Sequence, residues 1–270
     1  MDRIIPPRRQ GCIFCTKAKV SREHIVPVWA AEVLAKAKPP PSRPGVRVVA
    51  RHRRWSEGAE ADVSQDWFAK RADFIVKCVC KECNGGWMSA IEDAAKPIVT
   101  MMIEDQRVVL DTEDQEKVAI WLGLKAIVAQ QSLPPAQGFL EWANAFASDR
   151  RPPTSWRIQI ARYQGTVPMF FGNTGLDTTI IHELAPFPMK RPGFLFTAQL
   201  GHFVGQVLGI RQQTWIVPAQ RRFIQIWPHP LLRASSPDPA HIASVSWPPE
   251  AGLDESDLKK CAHDPAEPKK

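Results

Sequence analysis

Two pairs of cysteines have the spacing of metal ligands. Cys12 and Cys15 form one C-x-x-C pair, Cys80 and Cys83 form a second, and 64 residues separate the pairs. Each pair can direct two thiolates at one ion, and two pairs complete the tetrahedron that zinc prefers. The spacing therefore predicts a structural Zn²⁺ rather than unrelated buried cysteines. Cys78 could compete as a ligand, but we interpret it as a small buried strand residue.

Polar residues that suit a second, catalytic metal follow each cysteine pair. His24, preceded by Glu23, lies nine residues after Cys15, and Asn84 directly follows Cys83. A zinc ion that joins the two pairs would bring these three residues together. A carboxylate and an amide oxygen suit a hard divalent ion, and an imidazole beside that ion can take a proton from water. Metal, base and nearby positive charge are the components needed for phosphodiester hydrolysis.

The same residues carry a family resemblance over about residues 10–95. The first cysteine pair, the segment Ser21–Pro27 (SREHIVP) and the segment Cys80–Glu92 (CKECNGGWMSAIE) resemble the HNH endonucleases with zinc knuckles. The part of the latter segment that reads Cys-Asn-x-Gly-Trp-Met-Ser looks like one bacterial branch of that superfamily.

The resemblance implies a ββα-metal core, in which a β-hairpin and a helix enclose the catalytic metal. It implies that His24 is the general base and that Glu23 is a metal ligand. Asn84 stands where many members have a final histidine, which makes it the second ligand. The catalytic ion is then expected to be Mg²⁺ or Mn²⁺, and the substrate DNA, with RNA left open.

The chain also departs from the family pattern. No asparagine precedes Asn84, although a middle asparagine normally orients the base, and Asp66 and Asp73 are its only suggested replacements. Glu92 and Asp93 are interpreted as helix surface, with a supporting role at the metal as the alternative. A zinc-containing module that binds nucleic acid without cutting it is therefore the rival hypothesis, and a zinc-organised protein-interaction domain is a third.

Positive charge is concentrated in the first third of the chain. Residues 1–91 contain 17 Lys/Arg and 9 Asp/Glu, a balance of +8, while the remaining residues contain 18 and 19, a balance of −1, which sum to the total of +7. A basic segment beside a near-neutral one indicates that the first third contacts a polyanion. The segment 51–55 (RHRRW) could contact phosphates, and a solvated loop is its alternative.

Bulk properties point to a soluble protein in the cytoplasm, where the six cysteines would stay reduced. Hydrophobic residues make up 44% and charged residues 23% of the chain, which is typical of a globular protein. We find no secretory signal and no run of about 18 apolar residues, so no contact with a membrane is expected. The oligomeric state is not predicted.

The elements that must position these residues follow from periodicity and from helix-breaking residues. In the first third we expect a helix after Pro27, strands at 46–50 and 74–79, and a helix at 87–95 that ends near Pro97. A basic loop or irregular hairpin is expected between the two strands.

Further along the chain, a capping box at Thr112 and Gln115 is expected to start a long buried helix that reaches Ala129 and is closed by Pro134 and Pro135. Strands are expected at 156–160, 179–184, 194–200, 203–210, 214–217 and 223–227. The prediction is an α+β protein. Residues 1–105 form the HNH-type nuclease domain, residues 106–234 an α+β domain with an antiparallel sheet, and residues 235–270 a poorly ordered tail.

Overall fold

The computed structural model describes residues 11–15, 17–36, 46–56, 59–69, 75–132, 139–180, 189–210, 222–228 and 244–261. These residues combine helices with mainly antiparallel sheets, which confirms the predicted α+β class. Among them, no helix has both the length and the apolar character needed to cross a membrane. The helices are α1 (Val28–Lys36), the single turn α2 (Lys81–Cys83), α3 (Ser89–Ile103), α4 (Thr112–Ala129), α5 (Phe139–Asp149) and α6 (Glu255–Cys261).

The strands form one large sheet and two small ones. The large sheet has eight strands in the order β10-β6-β9-β8-β7-β2-β3, with β12 also paired to β6, and the small sheets are β1-β4 and β5-β11. The strands are β1 (Ser21–His24), β2 (Val46–Ser56), β3 (Ala59–Ala69), β4 (Ile75–Val79), β5 (Val108–Leu110), β6 (Arg157–Tyr163), β7 (Met169–Ile180), β8 (Met189–Leu200), β9 (Phe203–Ile210), β10 (Ile224–Trp227), β11 (Val245–Trp247) and β12 (Gly252–Leu253).

The segment between the two cysteine pairs contributes to the large sheet. Strands β2 and β3 form a long antiparallel hairpin that contains the 51–55 segment, and β2 runs parallel to β7 from Val48↔Met169 to Arg54↔Gly175. The predicted strand at 46–50 is therefore the start of a longer one. Of the strands predicted further on, those at 156–160, 194–200, 203–210 and 223–227 correspond to β6, β8, β9 and β10. The prediction at 179–184 overlaps only the end of β7, and 214–217 lies outside the described residues.

Helix α4 is the buried helix that the sequence predicts. Every residue from Trp121 to Ala129 is buried, because the helix packs between α3 and strands of the large sheet. Its cap differs from the prediction: Asp111, one residue before Thr112, accepts a hydrogen bond from the Asp114 backbone N–H at 2.8 Å. With Asp111 as the cap, the residue three positions on is Asp114 rather than Gln115, whose side-chain amide donates to the Leu110 carbonyl. The closing prolines lie outside the described residues.

Helix α3 continues past Pro97, so the predicted end at that residue is wrong. A proline lacks the N–H that would bond to the carbonyl four residues earlier, here that of Asp93. Both residues are exposed, and water can bond to that carbonyl instead. Beyond the proline, Val99, Met102 and Ile103 are buried in the core. Their burial sustains the final turns of the helix.

Residues 244–261 form regular structure, although the sequence predicts a poorly ordered tail from residue 235. Val245 and Trp247 alternate with exposed Ser246 in β11, which pairs with β5. Leu258 on α6 is buried in a second cluster of apolar side chains on the large sheet. The alternation of apolar and polar residues in this segment indicates a strand. The sequence prediction gave more weight to the high proline content of the segment.

One cluster of buried side chains extends across residue 105. It includes Cys12 and Val79 from the first third of the chain together with Trp121 and Phe194 from beyond it. The division into domains at residues 105 and 106 stays a prediction.

Replacement of Gly209 by alanine should destabilise the fold. A Cβ at Gly209 would overlap the Phe194 ring, which is fully buried and lies 5.0 Å from the Trp156 ring and 5.3 Å from the Trp142 ring. Overpacking of this kind costs about 1–3 kcal/mol. Chemical denaturation of Gly209→Ala should show this loss. Gly85→Ala is the control, because a Cβ there meets no heavy atom within 4 Å; equal losses in both variants would contradict the packing explanation.

Candidate metal centre and active site

The four predicted zinc ligands lie together. The sulfur atoms of Cys12, Cys15, Cys80 and Cys83 are all within 4.8 Å of one another, and those of Cys15 and Cys80 are 3.6 Å apart. In a tetrahedral Zn–S₄ site with bonds of about 2.3 Å, sulfur atoms are about 3.8 Å apart. The cysteine cluster, as we call these four residues, can therefore hold a structural metal ion such as zinc.

Backbone hydrogen bonds form the two halves of the cysteine cluster. The Cys12 N–H donates to the Lys17 carbonyl at 2.8 Å, which closes the first loop, and the Ile13 N–H donates to the Cys78 carbonyl at 2.8 Å. The second bond fastens the first cysteine pair to β4, which leads directly into Cys80. The Cys83 N–H points at the Cys80 sulfur at 3.4 Å, as in a helix cap.

Burial shapes the chemistry of the thiols. It raises the pKa of Cys83 to about 12 and also raises the pKa of the Cys78 thiol. Because zinc binds thiolates, loading the cysteine cluster must release protons, and metal affinity must fall as the pH falls. Cys78 lies on β4, is 3% exposed and is not one of the four clustered cysteines.

The turn that follows the second cysteine pair lies against β1. Residues Asn84–Met88 form a π-helical turn in which Gly86 departs from helical angles. The Asn84 side-chain amide donates to the Arg22 carbonyl at 3.1 Å. Trp87 fixes the other side of the turn through an edge-on contact with Phe14, with ring centroids 5.0 Å apart. Asn84 is thus held beside the strand that carries Glu23 and His24.

Glu23 is buried and bonded to a lysine that the sequence analysis missed. The Lys125 ammonium on α4 lies 2.8 Å from the Glu23 carboxylate and 2.9 Å from the His24 carbonyl oxygen, and it also forms an ion pair with Glu92. The side chains of Lys125 and Glu23 are 2% and 5% exposed. We call Lys125, Glu23 and Glu92 the lysine cluster. Its only sequence signal was a lone lysine within the apolar run of α4.

Glu92 does not lie on a free helix surface. Its carboxylate contacts the Lys125 ammonium, and its side chain is 23% exposed. The preferred interpretation of Glu92 as helix surface is therefore wrong, because α3 turns this position toward α4. Asp93, the next residue, is exposed as expected.

The lysine cluster places two carboxyl groups against one ammonium. Burial by itself lowers the pKa of Lys125, but the carboxylates of Glu92 and Glu23 outweigh burial and raise it above its ordinary value. Lys125 is therefore charged at neutral pH. Of the two carboxyl groups, that of Glu92 is the more exposed to solvent, at 23% against 5% for Glu23.

Glu23 and His24 belong to no group of three or more described His, Cys, Asp or Glu side chains that could share one ion. Within the described part of the chain, the cysteine cluster is the one group of three or more His, Cys, Asp or Glu side chains with ligand atoms close enough for a single ion. His24, half-buried at the end of β1, lies opposite Ile75 of β4. The catalytic roles of Glu23, His24 and Asn84 stay predictions.

Comparison with protein-family models, with curated proteins and with solved structures finds no match to this chain.

Zinc content should depend on Cys80 but not on Cys78. The full chain should contain about one zinc per molecule, and Cys80→Ser should retain less than about half of it. Cys78→Ala is the matched control, because it removes a buried thiol two residues away that lies outside the cysteine cluster. Metal analysis by mass spectrometry measures both. Wild-type protein without zinc, or equal loss in the two variants, would contradict the site.

Removal of the Lys125 charge should strongly destabilise the fold. In Lys125→Met the Glu23 and Glu92 carboxylates lose their buried counterion, which typically costs about 3–5 kcal/mol. Urea denaturation measures the loss. Lys117→Met is the control on the same helix. The ion pairs of Lys117 with Glu113 and Asp114 lie at the surface and contribute little to folding stability.

The loss of folding stability in Lys125→Met relative to wild type should be constant through neutral pH. A lysine with a raised folded-state pKa contributes stability that is fully present below its unfolded pKa, about 10.4, and is lost as the pH rises through the folded pKa. The difference between wild type and Lys125→Met should therefore shrink only in strongly alkaline solution. A difference that already disappears between about pH 7 and pH 9 would contradict a charged Lys125.

Proposed function

We propose that this protein is a metal-dependent endonuclease of the HNH type that hydrolyses phosphodiester bonds in DNA. The observation that carries the proposal is the hydrogen bond from the Asn84 side chain to the Arg22 carbonyl. It joins the turn after the second cysteine pair to β1, the strand that carries Glu23 and His24. The contact supports the proposal because it brings Asn84 to that strand from 62 positions further along the chain.

The order of elements supports this proposal. Strand β1 pairs antiparallel with β4, and β4 leads through the second cysteine pair into the π-helical turn and α3. Two antiparallel strands followed by a helix have the arrangement that a ββα-metal core requires. In this core the cysteine cluster lies at the end of the strand pair where Ser21 meets Val79, next to the start of the helix, and Glu23 and His24 follow along β1 toward Ile75.

The proposed chemistry assigns one role to each residue. His24, the residue after Glu23, would accept a proton from the attacking water. Glu23 and Asn84 would hold a divalent ion, Mg²⁺ or Mn²⁺, which stabilises the negative charge that develops on the phosphate. These residues fit such an ion in two respects. Asn84 uses its amide nitrogen on Arg22, which leaves the amide oxygen for a metal, and the lysine cluster has two carboxyl groups for one ammonium.

Charge distribution supports a nucleic-acid substrate. The first third of the chain, with 17 basic and 9 acidic residues, has a balance of +8. DNA binding at low salt with a strong salt dependence is the expected consequence. DNA is the substrate we propose, and RNA is the alternative that a cleavage assay distinguishes.

A second candidate function is a nucleic-acid-binding module that keeps the structural metal and does not cut. One observation favours it: the Lys125 ammonium already bonds to the Glu23 carboxylate that the nuclease hypothesis assigns to the metal. In this alternative Lys125 replaces the catalytic ion, and His24 has no catalytic role.

Cleavage assays with a His24 variant distinguish the two functions. Purified full-length protein should nick or linearise plasmid DNA with Mg²⁺ or Mn²⁺, and chelation should stop the reaction. His24→Ala should reduce the rate by about 10²–10⁴-fold, because it removes the general base. His202→Ala is the control, since His202 bonds to the Tyr163 carbonyl far along the chain and should leave the rate unchanged.

A gel-shift assay on the same proteins completes the test. His24→Ala should still bind DNA, because the basic charge of the first third is retained. If wild type binds DNA but cleaves neither DNA nor RNA with either metal, the nuclease hypothesis is wrong and the binding module replaces it. If wild type fails to bind nucleic acid even at low salt, both hypotheses are wrong and a protein-interaction domain is favoured.

A further inference from the structure

Lys125 lies outside the segment that carries the nuclease resemblance and nevertheless contacts its central residues. It belongs to α4, 102 positions beyond Glu23, and its ammonium bonds to the Glu23 side chain, the His24 carbonyl and the Glu92 side chain. An ammonium has three N–H donors. Three acceptors from two different elements, β1 and α3, therefore account for all of them.

The two contacts to β1 restrain adjacent residues in different ways. The bond to Glu23 holds a side chain, and the bond to His24 holds the backbone from which the imidazole extends. Lys125 thus holds the Glu23 carboxylate directly and the His24 imidazole only through its backbone.

A purely stabilising role does not account for this arrangement. Buried ion pairs seldom stabilise a fold more than apolar side chains of the same size, because each charge must be removed from water. Here the lysine cluster has two carboxylates for one ammonium, and the Lys125 side chain is 2% exposed. Apolar residues at all three positions would fill this space at lower cost, as Leu124 and Ala126 do on either side of Lys125. The Lys125 charge is better explained by its contacts to β1 and α3, which it holds together.

We propose that Lys125 is a positioning residue of the active site, which fixes the Glu23–His24 end of β1 relative to α3, and that Glu92 is the counterion that holds the ammonium there. This proposal rests on the proposed nuclease function. It adds that α4, an element outside the zinc-bearing segment, is needed for the catalytic geometry. Lys125 acts through Glu23 and His24 and does not itself touch the substrate.

The test compares Lys125→Met, Lys125→Arg and Glu92→Gln with wild type in the full-length protein, at a temperature where circular dichroism shows each to be folded. Lys125→Met should lower kcat about 100-fold, because small displacements of catalytic groups have effects of that size. Glu92→Gln should lower kcat by about 10-fold or more, as is usual for residues that orient metal ligands. Lys125→Arg keeps the charge and should recover most of the rate.

A structural role alone would give different results. KM for DNA and the zinc content should stay close to wild type in all three variants, so that the loss appears in kcat. Lys117→Met is the control on the same helix and should leave kcat unchanged. Equal kcat for wild type, Lys125→Met and Glu92→Gln, all folded, overturns the proposal. If Lys125→Met does not fold, Glu92→Gln and Lys125→Arg decide it by the same comparison.

Hydrogen exchange tests the positioning role of Lys125 independently of the proposed nuclease function. In Lys125→Met or, if that variant does not fold, in Glu92→Gln, backbone amides of the peptide 21–27 should exchange about tenfold faster or more, and those near Cys12 should not change. Lack of cleavage by wild type overturns the nuclease function alone, and exchange then decides whether Lys125 holds β1. Unchanged exchange in every variant overturns the positioning role whether or not the protein cuts DNA.

Discussion

The four cysteine sulfurs occupy a volume that suits a single ion, although 64 residues separate the two pairs. Much of the candidate site depends on this proximity. The first pair is fastened to β4 through the Ile13–Cys78 backbone bond, and β4 delivers the second pair and then Asn84. A metal ion bound there would stabilise this long-range contact, because binding to the folded cluster adds directly to folding stability.

The lysine cluster provides a second long-range constraint of a different kind. The cysteine cluster joins two segments within the first third of the chain, whereas Lys125 joins that third to α4. Helix α4 also packs against β6, β9 and β10 of the large sheet. The strand end that carries Glu23 and His24 is therefore tied indirectly to the sheet. A nuclease built this way would use the rest of the chain as a support for its catalytic residues. The near-neutral charge of residues 92–270 accords with that supporting role.

Sequence patterns predicted some of these features well and others poorly. The cysteine spacing predicted the four-sulfur cluster because C-x-x-C geometry is local and each pair acts as a unit. The apolar run of residues 118–129 predicted α4 because a continuous apolar segment of helical length is also a local pattern. Pro97 and the proline-rich tail misled the prediction, because buried residues further along each segment outweighed the local preference. The β2–β3 hairpin could not be assigned to the large sheet, since parallel pairing with β7 links residues more than 100 positions apart.

The sequence by itself determined the four cysteines that could hold a structural metal, the α+β class and the candidate residues Glu23, His24 and Asn84. These follow from residue types at short spacings, which local geometry converts directly into structure. Only the tertiary structure revealed that Glu23 is bonded to Lys125, that Glu92 faces the core and that Asn84 holds the Arg22 carbonyl. Those contacts join residues 62 to 102 positions apart or link α3 with α4, and no local pattern encodes which distant partner a buried charge will meet.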